Sequence, residues 1–273
     1  MKTPSLQFGL ITQESSFGRS NHDVVYAQRL RGDGALACTE MGLFMVCSGM
    51  GVREEAGRAA RIIVQIVAAG YSQHILLPCL ETGTAPTEVQ VTQHMVDAFH
   101  KANQTVFNES SPVGGSLTAA VMLDNQIHLL HVGNTRAYLV REEEITQLTK
   151  DHDFVQALVD AGEFASREDL WEEVINKGGH VTNALYCAFG QTESLKRIDS
   201  SIQTFEDGTG ILLCSGSLKV EYPQDMEKTL RIIHGSHKSQ DACQRLIDWV
   251  KKQGFYGDTS AIFISRSFPF KPE

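Results

Sequence analysis

Basic residues are the first thing this sequence is short of. Lysine and arginine number 24 against 33 aspartates and glutamates in 273 residues, a formal charge of −9. General binding to nucleic acid or to an anionic lipid surface, each of which draws on basic patches, is therefore not expected. No run of residues reads as apolar enough to span a bilayer. The six cysteines (Cys38, Cys47, Cys79, Cys187, Cys214, Cys243) show no short paired spacing, and Cys47 and Cys214 close apolar runs. Buried reduced thiols are expected rather than a disulfide framework or a zinc cluster. Met1-Lys2-Thr3-Pro4-Ser5 leads straight into an apolar stretch. It lacks the charged start, long apolar run and cleavage site of a secretory signal, so a cytoplasmic location is the expectation. No internal repeat, low-complexity block or Pro/Gly/Ser linker breaks the chain, which reads as a single domain over residues 1–273.

What is present is an ordinary globular composition, 42% hydrophobic and 21% charged, in a chain long enough to bury a substantial core. Short apolar stretches predict strands at Leu6 to Ile11, Ala35 to Thr39, Gly42 to Cys47, Leu117 to Leu123, Gln126 to Val132, Arg136 to Val140, Ile211 to Cys214 and Ser260 to Ser265. Only Gly133-Asn134-Thr135 separates Gln126 to Val132 from Arg136 to Val140, which predicts a tight hairpin. Helical spacing appears at Glu55 to Ala69, where Ala56, Ala59, Ala60, Ile63 and Val67 share a stripe, and at Val89 to Phe107. Further helices are expected at Phe154 to Ala161, at Ser166 to Ile175 with Ser166 as cap, and at Gln240 to Lys252 before Gly254. Runs of strands and helix pairs without regular alternation point to an α+β fold with antiparallel sheets flanked by helices.

Three motifs follow one another in the middle of the chain: Gly114-Gly115-Ser116-Leu117-Thr118-Ala119-Ala120, His131-Val132-Gly133-Asn134-Thr135-Arg136-Ala137-Tyr138-Leu139, and Gln147-Leu148-Thr149-Lys150-Asp151-His152. In order and spacing they resemble the Gly-Thr-Thr strand, the Gly-Asp-Ser-Arg-Ala-Tyr hairpin and the Leu-Thr-x-Asp-His segment of bacterial metal-dependent serine/threonine phosphatases of the 2C (PPM) type. Asn21-His22-Asp23, Ser48-Gly49-Met50-Gly51, Cys214-Ser215-Gly216-Ser217-Leu218 and Gly257-Asp258-Thr259-Ser260 extend the resemblance over nearly the whole chain. They stand where the family has Asn-Glu-Asp, Asp-Gly-Met-Gly, Cys-Ser-Asp-Gly-Leu and Asp-Asn-x-Thr. The resemblance implies an antiparallel β-sandwich flanked by helices on both faces, in α-β-β-α layers.

The resemblance also implies two magnesium or manganese ions between the sheets, held by carboxylates and activating a water. Measured against that pattern the acids are mostly replaced. His22 stands at the Glu position, Ser48 at the bridging acid, Asn134 at the acid of the hairpin, Gly216 at the acid of the Ser-Asp-Gly turn and Gly257 at the first residue of Asp-Asn. Asp23 is retained, Asp258 falls one step late, and the Gly49 carbonyl is available. The expected metal set is therefore vestigial: Asp23, Asp258 and Gly49, with at most one weakly bound manganese or magnesium and no cofactor otherwise. His22 is a replacement ligand favouring zinc or manganese, or else an ordinary turn residue. The phosphate-binding arginine of the family aligns with Gly18, and Arg19 follows one residue later, on the opposite face if the segment is a strand. Arg136 is expected in a structural contact. Ser215 and Ser217 lack the Gly-x-Ser-x-Gly elbow of a nucleophilic hydrolase. The functional expectation is a pseudophosphatase that binds a protein partner, such as a serine/threonine kinase or a phosphoprotein. The alternative is an active phosphatase with an atypical or single-metal site.

Overall fold

Apolar runs too continuous for a half-exposed strand are strands covered on both faces. The computed structural model describes residues 6–15, 20–32, 40–51, 54–109, 113–177, 184–218, 223–254 and 257–272. In β3 (Glu40–Met50), Phe44 and Val46 enter the layer between two sheets, whereas Leu43, Met45 and Cys47 face helices. Every residue of β4 (Gly114–Leu123) is buried. Alternation of side chains across a strand accounts for both patterns once each face has a cover.

One sheet runs β2 (Asp23–Arg31), β3, β4, β5 (Gln126–Val132), β8 (Asp199–Thr204). The other runs β1 (Leu6–Gln13), β10 (Thr259–Arg266), β9 (Thr209–Cys214), β6 (Arg136–Val140), β7 (Ile145–Gln147), and all pairs are antiparallel. Between the sheets lie Phe44, Val46, Ala120, Met122, Leu139, Ile211, Leu213, Ile262 and Ile264. On the outer face of the first sheet, α1 (Glu54–Tyr71) buries the expected stripe of Ala56, Ala59, Ala60, Ile63 and Val67. Beside it lies α3 (Glu88–Phe107), which begins in a capping box between Thr87 and Gln90. On the second sheet, α7 (Ser239–Lys252) covers β1 and β10 with α6 (Pro223–His234) next to it. The pair α4 (Phe154–Asp160) and α5 (Arg167–Asn176) follows the expected helices, and the Ser166 hydroxyl accepts the Asp169 amide at 3.1 Å. The layered α+β architecture is the one the sequence implied.

Two expectations are overturned. The first is the hairpin at Gly133-Asn134-Thr135. β5 pairs with β4 and β8, and β6 with β7 and β9, so this segment carries the chain from one sheet to the other. Short loops keep two strands in one sheet only when their twist matches. Here Gly133 turns at φ +101°, and a Cβ on it would lie 2.1 Å from the Ser116 Cβ, so the corner folds down over the start of β4. The second concerns bilayer-spanning length. α1 continues through a π-helical turn, Ser72–Leu76, into α2 (Leu77–Thr82). The 28 residues Glu55–Thr82 are long and apolar enough to cross a membrane by length and composition alone. The inward stripe of α1 is taken up by β3, β4 and α3. The expected strand Ala35 to Thr39 lies outside the described residues, as do Cys38, Gly18 and Arg19.

Candidate functional site

Strand register gathers the singled-out residues at one end of the sandwich. Asp23 opens β2 opposite Ser48, and Ser48 lies opposite Ser116 at the start of β4. In the facing sheet, Cys214 ends β9 between Arg136 and Ala261, which places the turn at Ser215 to Ser217 beside the start of β10. The β5–β6 corner brings Asn134 in from the side, its Oδ1 3.2 Å from the Ser116 hydroxyl.

The centre of this cluster is Asp23, 6% exposed. Its Oδ2 accepts from the Ser260 hydroxyl at 2.8 Å, whereas its Oδ1 is buried without a hydrogen-bond partner among the described residues. Burial raises its pKa above the usual carboxylate value, Ser48, Ser260 and Ser215 pull the other way, and the negative charge of Asp258 adds to the rise. The Ser260 Oγ also lies 2.8 Å from Thr12 Oγ1, which accepts from the Asn21 side-chain amide at 2.7 Å. The Asn21 Oδ1 in turn accepts the Asp23 amide at 2.9 Å. Behind the carboxylate, burial pushes the Cys47 thiol pKa well up, and the charge of Asp23 adds to it.

Asp258 has a different employment. Oδ1 accepts the Ser15 amide and Oδ2 the His22 amide, both at 2.8 Å. It pins the end of β1 and the approach to β2 to the start of β10. The His22 Nδ1 lies 3.9 Å from Asp258 Oδ2, and its Nε2 is buried without a hydrogen-bond partner among the described residues. The Gly49 amide donates to the His22 carbonyl at 2.9 Å, and a Cβ on Gly49 would lie 2.1 Å from the Ala56 carbonyl oxygen, so only glycine fits there. A Cβ on Gly216 would meet Asn134 Nδ2 at 2.9 Å, whereas one on Gly257 would meet only Ser217 Cβ at 3.7 Å. The Ser215 hydroxyl accepts the Ser260 amide at 2.9 Å and lies 3.0 Å from the Ser217 hydroxyl, which donates to the Asp258 carbonyl. Hydroxyls and amides thus dominate the cluster. Among the described residues no three His, Cys, Asp or Glu side chains come together in an arrangement able to hold a metal ion. Thr12 lies outside every motif, and Ser116 and Ser260 lie inside motifs without a role assigned to them, since small polar residues at strand ends carry no local signal of long-range pairing.

Arg136, as expected, is a structural residue. Its guanidinium meets Asp151 through Nε to Oδ1 at 2.9 Å and Nη2 to Oδ2 at 2.6 Å. Arg167 of α5 clamps Asp153, the cap of α4, at 2.8 and 2.9 Å. Between these pairs, His152 Nδ1 accepts the Gly133 amide at 3.2 Å, which leaves Nε2–H to donate to Asp199 Oδ2 at 3.2 Å. His131 rests beside it with Nε2 3.1 Å from the Lys150 carbonyl and Nδ1 3.0 Å from the Thr118 hydroxyl. Burial, with His152 nearby, lowers the pKa of His131 to about 4. A proton that the unfolded chain binds near the ordinary value of 6.5 is therefore refused by the folded one until about 4. Stability is fully present above pH 6.5 and is lost as pH falls through that window. His152 and His128, both also lowered by burial, act in the same direction, while Asp23 opposes them. His131 alone is worth roughly 3 kcal/mol over the window. Urea unfolding between pH 7.5 and pH 4.5 is expected to show that loss, with net proton uptake on unfolding.

Residues 39–157 match the family model described as Protein phosphatase 2C. The serine/threonine phosphatase stp of Listeria monocytogenes serotype 4b (strain F2365) is 26% identical over 196 residues, 69% of this chain and 71% of the relative. Among solved structures, the S. agalactiae serine/threonine phosphatase superposes with a TM-score of 0.78 at 18% identity, covering 96% of this chain and 99% of that one. The catalytic domain of the serine/threonine protein phosphatase PstP, solved with two manganese ions, superposes with a TM-score of 0.72 at 21% identity, covering 97% and 99%. Bacterial serine/threonine phosphatases of the PP2C type are thus homologues of this chain, and their fold is its fold.

Proposed function

We propose that this homologue of PP2C-type serine/threonine phosphatases is a pseudophosphatase, a protein-binding module of serine/threonine phosphorylation signalling without two-metal hydrolysis. The observation that carries the reading is the donor set around Asp23. One carboxylate oxygen is uncommitted, both oxygens of Asp258 accept backbone amides at 2.8 Å, and the remaining nearby donors are the neutral Ser48, Ser215, Ser217, Ser260 and Asn134. Two dications about 4 Å apart repel by roughly 16 kcal/mol at an effective dielectric constant of about 20. Several carboxylates offset such a repulsion, but neutral hydroxyls and one free carboxylate oxygen do not. The residues present do not fit the paired ions, and no step of hydrolysis is assigned to them.

Fold does not fix function, so the partner, a kinase or a phosphoprotein, is proposed from the phosphatase homology alone. Calorimetric titration with manganese and magnesium, coupled to a phosphopeptide assay, tests the reading. No saturable two-site binding and no metal-dependent turnover are expected. Turnover that rises with added metal and disappears in Asp23→Ala would overturn it. A second reading, a single-metal phosphatase, is favoured by one observation, the buried and unpartnered Nε2 of His22 near Asp258. It requires turnover with zinc or manganese that is lost in His22→Ala.

A further inference from the structure

A carboxylate oxygen buried without a donor is costly. Removing a charge from water carries a penalty of several kcal/mol, returned only by an opposite charge or good hydrogen bonds. Asp23 Oδ1, in a side chain 6% exposed, has no well-formed hydrogen bond among the described residues, although the Ser48 and Ser215 hydroxyls stand close enough to the carboxylate to lower its pKa. Sheet register fixes those neighbours, since Ser48 is directly opposite Asp23, and the Ser215 amide donates to the Ser260 carbonyl while its hydroxyl accepts the Ser260 amide. Oδ1 is therefore a fixed negative point in a cradle of neutral oxygens.

That chemistry selects a ligand. A magnesium ion demands near-ideal octahedral oxygen coordination and gives up its water reluctantly. A singly charged cation is satisfied by one carboxylate and several neutral oxygens, as alkali ions are by carbonyl rings. We propose that Asp23, with the hydroxyls of Ser48 and Ser215, holds one singly charged cation where homologues hold a metal pair. The cation is an alkali-metal ion or an ammonium head group of the kind a lysine side chain presents. The inference rests on the reading that the two-metal centre is absent, and it gives the eroded site a ligand class of its own.

The test is the unfolding midpoint of the full chain at constant ionic strength, with tetramethylammonium chloride, which has no N–H to donate and keeps its charge behind four methyl groups, exchanged for KCl, NaCl or methylammonium chloride. For a site half-filled near 10 mM, 100 mM of the fitting cation fills about nine-tenths of the sites and raises the midpoint by about 2–4 °C. Asp23→Asn is expected to be insensitive to the exchange. A response to KCl or NaCl identifies an alkali ion, and one to methylammonium an organic head group. Equal midpoints in all salts, or the same rise in Asp23→Asn, would overturn the proposal. Should Asp23→Asn fail to fold, sodium-23 NMR of the unmodified chain replaces it: a broadened line that narrows on adding KCl or methylammonium chloride supports the site, and an unbroadened line together with a midpoint unmoved by methylammonium overturns it. A manganese arm separates the two readings. Stoichiometric binding of two manganese ions sinks the pseudophosphatase reading and this one together, whereas flat responses in every arm sink this one alone.

Discussion

Asp151→Ala is expected to lower the stability of the chain by about 3–5 kcal/mol, the usual consequence of stranding one member of a buried ion pair. Arg136, its partner, is 4% exposed, and Asp151 is 3% exposed. The pair is bidentate, and Arg167 Nη2 lies 3.5 Å from Asp151 Oδ2, so one carboxylate serves guanidinium groups from β6 and α5. Without it, the Arg136 guanidinium loses this carboxylate at a position 4% exposed, while Arg167 keeps Asp153. Arg231→Ala is the natural control. Its ion pair with Glu227 is i,i+4 on an exposed face of α6, both side chains being more than 60% exposed, and such pairs contribute at most a few tenths of a kcal/mol. Chemical denaturation of both variants checks the contrast. A loss below about 1 kcal/mol in Asp151→Ala would show that the buried network is not what fixes the α4–α5 pair to the sandwich.

The two-sided burial of β3 and β4 was legible in the sequence because it leaves long apolar runs, and the helical stripe of α1 because five small or branched residues recur on one face. Other elements left no such trace. β2 has the short apolar run Val24-Val25-Tyr26-Ala27, but Arg29 and Arg31 break the alternation that would mark a nine-residue edge strand, and β8 reads Asp-Ser-Ser-Ile-Gln-Thr with alternate residues exposed and no apolar run to find. The β5–β6 connection had the length of a hairpin, but its course is decided by the room that Gly133 leaves above Ser116, a contact 17 residues away in sequence. The candidate site divides in the same way. Asp23, Ser48, Asn134, Gly216 and Asp258 were found through motif order, and the structure brings them together. What each does was not legible. Asp258 is committed by amides of Ser15 and His22, and Asp23 is held by Ser260, 237 residues later. Such pairings depend on which strands become neighbours, and nothing local encodes that.

On the proposed reading, the missing acids are the reason that paired metals are not bound, and restoring two of them is expected to bring manganese back. Ser48 is directly opposite Asp23 across β2 and β3, where facing side chains have Cβ atoms about 4.5–5.5 Å apart. An aspartate there reaches the same point as Oδ1. Gly257 accepts a side chain without a clash, its nearest neighbour being Ser217 Cβ at 3.7 Å, whereas an acid at Gly216 would have to displace Asn134. Ser48→Asp with Gly257→Asp is therefore the least disruptive pair. In chelator, the added like charges crowd Asp23 and the unfolding midpoint is expected to fall below that of the unmodified chain. With about 1 mM manganese and a dissociation constant of about 1 μM, binding adds about 4 kcal/mol to the double variant and nothing comparable to the parent. The sign reversal between chelator and manganese is the decisive feature, because a purely structural effect of the substitutions would not depend on the ion. An equal manganese response in the parent chain would mean that hydroxyls and a lone aspartate suffice, and the replaced acids would no longer explain the loss of the paired-metal centre.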